Sequence, residues 1–154
     1  MTRIGLISDT HGLLRPQAIA QLSGCDRIVH AGDIGPPELL ETLSRIAPLD
    51  AVRGNNDRAG WEHLPERLRL EIDGHVIAVI HDLKQLDFDP AEHGVAIVIA
   101  GHSHRPGVET RSGVLYINPG SAGPRRFSLP TTVAELQLGP DGPQARIIDL
   151  VQAP

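Results

Sequence analysis

Residues 3–33 read RIGLISDTHGLLRPQAIAQLSGCDRIVHAGD, and this stretch decides the class of fold. Arg3–Ile7 and Arg27–His30 are short β-rich runs, which predicts two strands. Pro16–Leu22 lies between them and predicts a helix that Gly24 closes. A strand-helix-strand unit implies two parallel strands joined by a right-handed crossover. The chain is therefore expected to begin as an α/β fold.

The same alternation continues for one more helix and strand, and the pattern of the sequence then changes from alternating helices and strands to hairpins. Pro36 and Pro37 suit the first turn of a helix that runs to about Ile46, and Leu49–Arg53 predicts the third strand. Val95–Ala100 predicts a fully apolar strand. Three hairpins are predicted around glycine-containing turns, namely Arg67–Ile72 with His75–Ile80, Val108–Arg111 with Val114–Ile117, and Thr131–Leu138 with Gln144–Val151. We expect an α/β protein (α+β in some schemes) with two packed mixed β-sheets flanked by helices, in one domain spanning residues 1–154.

The composition disfavours several classes of function. The chain has 154 residues, a formal net charge of −5 and a single cysteine, Cys25, so no intrachain disulfide or thiolate zinc site is expected. An acidic balance without a basic block, and scarce aromatic residues, disfavour nucleic-acid binding. No apolar run approaches the ~20 residues that span a bilayer. Met1–Ile7 enters a strand too early for a signal peptide, so a cytoplasmic protein without a membrane partner is expected.

Polar side chains follow five of the predicted strands at their carboxyl ends. In chain order these residues are Asp9, His11, Asp33, Asn55, Asn56, Asp57, His81, His102 and His104. Each cluster alone has an ordinary explanation as turn chemistry or as a helix cap. His102 and His104, which flank one residue at the mouth of a buried strand, favour a metal more directly. Because ligands of open α/β sheets collect at the carboxyl ends of the strands, the repetition favours one common metal site.

The order of these clusters is specific. D-x-H at 9–11, G-D at 32–33, G-N-x-D at 54–57, the histidine at 81 and G-H-x-H at 101–104 together resemble the calcineurin-like metallophosphoesterase superfamily. The short length and Asn118–Ser121, followed by Pro124 and Arg125, are similar to its compact YfcE-like branch of phosphodiesterases. The resemblance covers the chain from Ile4 to at least Arg125. It implies the metallo-dependent phosphatase-like sandwich, with helices outside two packed sheets.

The resemblance also implies a dinuclear metal site. It places Asp9, His11 and His104 on one ion, Asn55, His81 and His102 on the other, and Asp33 between both. Imidazole, carboxylate and amide donors without thiolate suit two divalent transition-metal ions, Mn²⁺ first and Ni²⁺, Fe²⁺, Co²⁺ or Zn²⁺ as alternatives. The implied activity is hydrolysis of a small-molecule phosphate ester, most simply a phosphodiester, by a metal-bridging hydroxide that attacks in line.

Position 56 departs from the family's pattern. Asn56 stands where many larger members have a histidine that helps the leaving group and where the compact branch commonly has cysteine, whereas the acid that follows, Asp57, is retained. We predict catalytic roles for both residues. Because an amide cannot donate a proton as an imidazolium can, the sequence predicts a preference for activated or diester substrates over alkyl monoesters. A loop-shaping role for Asn56 is the alternative.

Further residues near these loops have candidate supporting roles. His30 could hold a metal ligand in place, and Asp82, where relatives often have glycine, could orient an imidazole or lie in solvent. Any one of four loop arginines could hold a substrate phosphate: Arg58, Arg105, Arg125 or Arg126. The short segment 82–94 allows only a small lid, so an open site is expected.

Two other functions are disfavoured, and one assembly is left open. The retromer subunit Vps29 resembles this fold but serves as a protein-binding scaffold with a degraded metal site. Seven competent ligand positions argue against that function here. A metal-dependent amidohydrolase is disfavoured because those enzymes usually place H-x-H on the first strand. A homodimer through the outer hairpins is left open.

Overall fold

The computed structural model describes residues 1–57, 61, 63–126 and 128–150. Within these residues the chain forms ten strands and two α-helices, with two short 3₁₀ turns at Leu83–Gln85 and Ala91–His93. In chain order the elements are β1 (Thr2–Ile7), α1 (Pro16–Leu22), β2 (Arg27–His30), α2 (Pro37–Ser44), β3 (Leu49–Ala51), β4 (Arg67–Ile72), β5 (His75–Ile80), β6 (Ile97–Ile99), β7 (Gly107–Arg111), β8 (Val114–Asn118), β9 (Thr132–Gly139) and β10 (Gly142–Asp149).

The first sheet has the strand order β10-β9-β1-β2-β3. Its centre is the predicted parallel unit: Gly5 of β1 lies opposite Ile28 of β2, and His30 of β2 lies opposite Ala51 of β3. The last hairpin joins this sheet, because β9 pairs antiparallel with β1. The parallel strands end at the same edge, so the segments that follow β1, β2 and β3 start side by side.

The second sheet has the order β4-β5-β6-β8-β7. Hairpins form its two edges, and their turn residues Asp73 and Ser112 have φ values of 51° and 50°, each followed by a glycine that also has positive φ. This geometry is that of the tight two-residue turns predicted from the sequence. Between these hairpins β5, β6 and β8 run parallel in the centre of the sheet, an arrangement that the predicted hairpins do not specify.

Some predicted boundaries were too long. The second helix ends at Ser44 instead of near Ile46, and β3 ends at Ala51 instead of Arg53. After Ala51 the chain leaves the sheet edge to build the loop that contains Gly54, although Val52 still donates a hydrogen bond to the carbonyl oxygen of His30. The apolar run 95–100 forms only the three-residue strand β6, and the last position of the third predicted hairpin, 151, lies outside the described residues.

The core lies between the two sheets. Ile4 and Leu6 of the first sheet pack in one buried cluster with Ile77 and Ile99 of the second. A second cluster joins the opposite face of the first sheet to Ala18, Leu22, Leu39 and Leu43 of the helices. The expected sandwich of two packed mixed sheets is therefore confirmed, with the helices on the first sheet. On the second sheet, the segment around Leu83 and Phe88 packs against the outer face.

Among the described residues no helix has the length and the apolar character needed to cross a membrane, since the longest, α2, has eight residues.

Candidate metal centre

Backbone hydrogen bonds join the loop after β1 to the loop after β2, and the loop after β6 to the segment after β5. Asp9 N–H donates to the carbonyl oxygen of Gly32 at 3.0 Å, and His11 N–H donates to that of Asp33 at 3.0 Å. At the edge of the second sheet, Gly101 N–H donates to the carbonyl oxygen of His81 at 2.9 Å. The sheet edges therefore bring the polar clusters predicted from the sequence to one place.

Five predicted ligands have a left-handed backbone. The φ values are 55° for Asp9, 46° for His11, 58° for Asp33, 72° for His102 and 62° for His104. Such a conformation costs a residue other than glycine about 1–3 kcal/mol and is concentrated at functional sites. Among the described residues, the other two non-glycine positions with positive φ are the hairpin residues at 73 and 112. The strain of this fold is thus concentrated where the polar side chains converge.

Glycines let the neighbouring backbone approach the carboxylates closely. A Cβ atom built at Gly54 would lie 2.2 Å from Asp33 Oδ1, and one built at Gly101 would lie 2.8 Å from Asp9 Oδ2. Both approaches are far shorter than a normal contact. The glycines of the G-N-x-D and G-H-x-H patterns are therefore required by packing against the predicted ligands.

Asp9, His11 and His104 form the first group of ligand atoms, which lie within 4.8 Å of one another. His104 Nε2 lies 3.4 Å from Asp9 Oδ1, and His11 Nε2 lies 4.0 Å from the same oxygen. The other carboxylate oxygen, Asp9 Oδ2, accepts hydrogen bonds from Ser8 Oγ and from the backbone N–H of His102. One oxygen of Asp9 is therefore held by the protein, and the other faces the two imidazoles.

Asp33, His81 and His102 form the second group, also within 4.8 Å. His81 Nε2 lies 3.2 Å from Asp33 Oδ2, and His11 Nε2 of the first group lies 3.7 Å from that same oxygen. Asp33 Oδ2 thus lies within 3.7 Å of imidazole nitrogens of both groups.

The donor atoms of these groups fit a divalent cation. Asp9 Oδ1, His11 Nε2 and His81 Nε2 are buried and have no hydrogen-bond partner among the described residues, whereas buried polar atoms nearly always have one. His81 Nδ1 lies 2.7 Å from the carbonyl oxygen of Ala31, an acceptor only, so this nitrogen carries the proton. In the neutral ring, Nε2 of His81 therefore presents a lone pair to the centre, as a metal ligand must.

The charges of the site agree with this fit. Burial opposes ionisation of Asp33, but His81 and the backbone N–H of Asn56 outweigh it and hold the pKa of this carboxyl well below its usual range. Burial lowers the pKa of His11, which favours the neutral imidazole. At His81 burial acts in the same direction, but the carboxylates of Asp33 and Asp9 raise its pKa. The site thus offers anionic carboxylates next to imidazoles.

The three predicted residues 55–57 of the turn after β3 differ in burial and in hydrogen-bond partners. The buried carboxylate of Asp57 accepts hydrogen bonds from the backbone N–H groups of Ile34 and Gly54, both at 2.9 Å, so it joins this turn to the loop after β2. Asn56 donates to Asp33 twice, from its backbone N–H at 2.9 Å and from Nδ2 at 3.1 Å. Asn55 is exposed on the same turn.

His30 is fully buried behind the site and has two specific partners. Its Nδ1 accepts from the backbone N–H of Gly32 at 3.1 Å, and its Nε2 lies 3.0 Å from Thr10 Oγ1. Because Thr10 Oγ1 donates its own proton to the carbonyl oxygen of Ile34, His30 Nε2 is the donor to Thr10. Burial lowers the pKa of His30 to about 3, so the ring stays neutral. The supporting position expected for His30 is thus found, and it connects the loops that carry Asp9 and Asp33.

Sequence reasoning missed several residues that hold these loops. Ser121 Oγ donates to the backbone carbonyl oxygen of Asp9, and Asn118 Nδ2 donates to that of Gly101. Both belong to the Asn118–Ser121 segment, which was quoted only for the family resemblance. Thr10 was also missed, and its position between the residues of the D-x-H pattern is the one signal that could have pointed to it.

The other candidate supporting residues are Asp82 and the four loop arginines. Asp82 Oδ2 lies 3.8 Å from His102 Nε2, while its Oδ1 accepts from the backbone N–H of Lys84. Arg105, Arg125 and Arg126 are exposed, and the charge of Arg126 contributes to the lowered pKa of His11. Arg58 lies outside the described residues.

Comparison with known proteins assigns the family. Residues 2–140 match the calcineurin-like phosphoesterase superfamily domain, so the chain belongs to this superfamily. A probable metallophosphoesterase of Methanothermobacter thermautotrophicus is 32% identical over 84% of this chain and 83% of its own length. The resemblance inferred from the sequence is therefore confirmed.

Solved structures share the fold at lower identity. An archaeal phosphodiesterase is similar with a TM-score of 0.79 and 23% identity, over 96% of this chain and 100% of that one. Vps29 of Entamoeba histolytica, solved in complex with Zn²⁺, is similar with a TM-score of 0.73 and 19% identity, over 97% and 100% of the two chains. Both neighbours are covered in full, which agrees with the compact branch expected from the sequence.

Proposed function

We propose that this protein is a dinuclear metal-dependent phosphodiesterase. The observation that carries the proposal is the convergence of three buried, unpartnered ligand atoms, from Asp9, His11 and His81, beside Asp33. Membership in the phosphoesterase superfamily supports the reaction class. That an archaeal protein of the same fold is described as a phosphodiesterase supports the choice of a diester.

The proposed ligand assignment follows the two groups. Asp9, His11 and His104 hold one ion, His81 and His102 hold the other together with Asn55, and Asp33 contacts both. Mn²⁺ is the proposed metal, with Ni²⁺, Fe²⁺, Co²⁺ or Zn²⁺ as alternatives, because the donor set mixes nitrogen and oxygen without sulfur.

Two ions bound in this way would lower the pKa of a water between them and neutralise charge on the phosphate. The chain itself keeps Asp33 ionised and aims His81 Nε2 inward through the contact with Ala31. In the reaction phosphorus gains a bond to the water oxygen and loses its bond to the departing alcohol, which takes up a proton. Asn56 cannot supply that proton as an imidazolium could, so we propose that good leaving groups are preferred.

We propose a positioning role for Asp57. Its carboxylate accepts hydrogen bonds from backbone N–H groups of two loops. It therefore fixes the position of the turn that carries Asn56 relative to the loop that carries Asp33. Asn56, which touches Asp33 directly, is the residue of this pair nearer to the reacting phosphate.

The alternative function is a protein-binding scaffold like Vps29, which the shared fold favours. Vps29 of Entamoeba histolytica was itself solved with Zn²⁺, so metal binding alone does not distinguish the two functions. Turnover of a phosphate ester does.

The test compares bis(p-nitrophenyl) phosphate with p-nitrophenyl phosphate, using metal-stripped protein before and after addition of Mn²⁺. We expect metal-dependent hydrolysis with a higher kcat/KM for the diester. A preference for the monoester would contradict the proposed role of Asn56 but keep the metal centre. No turnover with Mn²⁺, Ni²⁺ or Zn²⁺ would favour the scaffold.

Three further expectations stay predictions: a single domain over residues 1–154, a cytoplasmic location, and the absence of a nucleic-acid partner. A homodimer is still left open.

A further inference from the structure

A groove of about 960 Å³ opens directly beside the metal centre. His102 of the second ligand group and its neighbour Gly101 form part of the lining, so the groove adjoins that group. Val98 and the half-buried Tyr116 contribute apolar surface from the outer face of the second sheet, and Leu83 contributes from the 3₁₀ turn. Its volume falls in the range of about 300–1,000 Å³ that small-molecule sites occupy.

The acidic side chains that line the groove have hydrogen-bond or ion-pair partners, whereas two of its basic side chains form no ion pair with a described residue. Its two carboxylates have partners: Glu109 pairs with Arg111 at 2.9 Å, and Asp82 accepts from the backbone N–H of Lys84. Two of its cations, Lys84 and Arg105, form no ion pair with any residue that the structure describes. With three cations against two carboxylates, the lining carries an excess of one positive charge beside the candidate active site, in a protein of net charge −5.

An aromatic surface lies in the same groove. The guanidinium carbon of Arg111 lies 4.9 Å from the centre of the Tyr116 ring, so the ring and the guanidinium form a stacked pair. Since Glu109 holds Arg111 in this position, the pair offers a planar surface for a flat ligand group. One such surface suits a single ring and does not provide the repeated stacking positions that single-stranded nucleic acid requires.

We propose that this groove binds the organic part of the substrate, and that the substrate is a phosphodiester bearing an aromatic ring and a second phosphate. The proposal rests on the phosphodiesterase function proposed above. The ring packs against the surface of Tyr116 and Arg111, and the second phosphate contacts Lys84 and Arg105. A nucleotide ester with a further phosphate has this chemistry at a size that fits the groove.

The test uses two esters that differ only in the second phosphate: the p-nitrophenyl ester of thymidine 5′-phosphate, with and without a 3′-phosphate. With Mn²⁺-loaded protein, we expect kcat/KM to be about tenfold higher for the 3′-phosphorylated ester, since a charge-assisted contact is worth roughly that factor. Lys84→Met and Arg105→Gln should each reduce this ratio about three- to fivefold. Arg45→Gln, which removes an exposed charge just after α2, is the matched control and should leave the ratio unchanged.

Binding gives a readout that does not need turnover. Calorimetry on the Mn²⁺-loaded protein should show tighter binding of thymidine 3′,5′-bisphosphate than of thymidine 5′-monophosphate, with the difference reduced in both variants. Hydrolysis of bis(p-nitrophenyl) phosphate together with equal kcat/KM for the two thymidine esters would overturn the groove proposal and leave the phosphodiesterase standing. A preference that survives in both variants would overturn it as well. Without turnover of any ester, the binding difference and its loss in the variants decide the matter alone.

Discussion

The two ligand groups differ in their access to solvent. In the first group the side chain of His104 is 6% exposed and that of Asp9 is fully buried, whereas in the second group the side chain of His102 is 42% exposed. Asn55, the other proposed ligand of the second ion, is exposed too. An ion in the first group would therefore be enclosed by protein, while an ion in the second group would face both solvent and the groove. We therefore expect a tightly held ion in the first group and a more readily exchanged ion in the second.

Asp33→Asn tests the residue that the two groups share, and it should have the largest effect. The amide removes the charge that lies between imidazoles of both groups, so we expect both ions to be lost and kcat/KM for bis(p-nitrophenyl) phosphate to fall by at least about 10²–10³-fold. Metal content by mass spectrometry and steady-state kinetics measure this. Asp141→Asn, an exposed change in the β9–β10 turn, is the control. Retention of one full equivalent of metal in Asp33→Asn would show that the two groups do not depend on a common carboxylate.

His104→Gln and His102→Gln compare the groups directly. Loss of a ligand or of a residue supporting it typically reduces metal affinity about 10–100-fold. After dialysis against a weak chelator, His102→Gln should retain about one ion per chain, because the enclosed first group is intact. His104→Gln should retain less than one. Equal metal contents in the two variants would contradict the difference in enclosure.

His30→Gln removes the link between the loops of the two groups. Glutamine cannot reproduce both hydrogen bonds in their present directions, so Thr10 or Gly32 loses a buried partner. We expect about 1–3 kcal/mol lower free energy of unfolding, measured by urea denaturation at pH 7. A variant of wild-type stability would show that other contacts hold the two loops together.

The same variant should change the dependence of stability on pH. The folded-state pKa of His30 lies at about 3, below the value of about 6.5 expected for the unfolded chain. The neutral buried ring therefore stabilises the fold fully above pH ~6.5 and progressively less as the pH falls towards 3. The stability difference between wild type and His30→Gln should thus shrink with acidification over this window.

Asn56→Ala should have the smallest effect. It removes one side-chain hydrogen bond to Asp33 on an exposed turn, while the backbone N–H of residue 56 can still donate to the same carboxylate. We expect about a two- to fivefold lower kcat/KM for bis(p-nitrophenyl) phosphate. A hundredfold loss would mean that the amide stabilises the transition state, and the loop-shaping alternative would then be wrong.

The sequence predicted the first half of the fold well because the signals there are local. The alternation of short β-rich runs with Pro16–Leu22 and the helix after Pro37 leaves one simple arrangement, three parallel strands with crossovers. The second half was harder because β5, β6 and β8 pair across long intervening segments. Each hairpin has a turn signal, but nothing in the sequence tells which hairpins share a sheet.

The candidate site was predictable in identity but not in geometry. The residue types at the strand ends marked seven ligand candidates. The structure gathers six of them in two adjacent groups, Asp9, His11, Asp33, His81, His102 and His104, while Asn55 as a ligand stays a prediction. The sequence could not predict that Asp57 joins two loops. This role depends on hydrogen bonds from the backbone N–H groups of residues 34 and 54, which only the folded chain brings near its carboxylate. The groove was equally hidden, since segments distant in sequence assemble it.

The left-handed backbone at five of the proposed ligands has a consequence for handling the protein. Conformations that cost free energy in the chain alone are stabilised when an ion binds the side chains that they present, so metal binding and folding are linked equilibria. The melting temperature should then rise with the concentration of free metal ion. A preparation purified in a chelating buffer would then be a less stable protein, which proteases cut more easily.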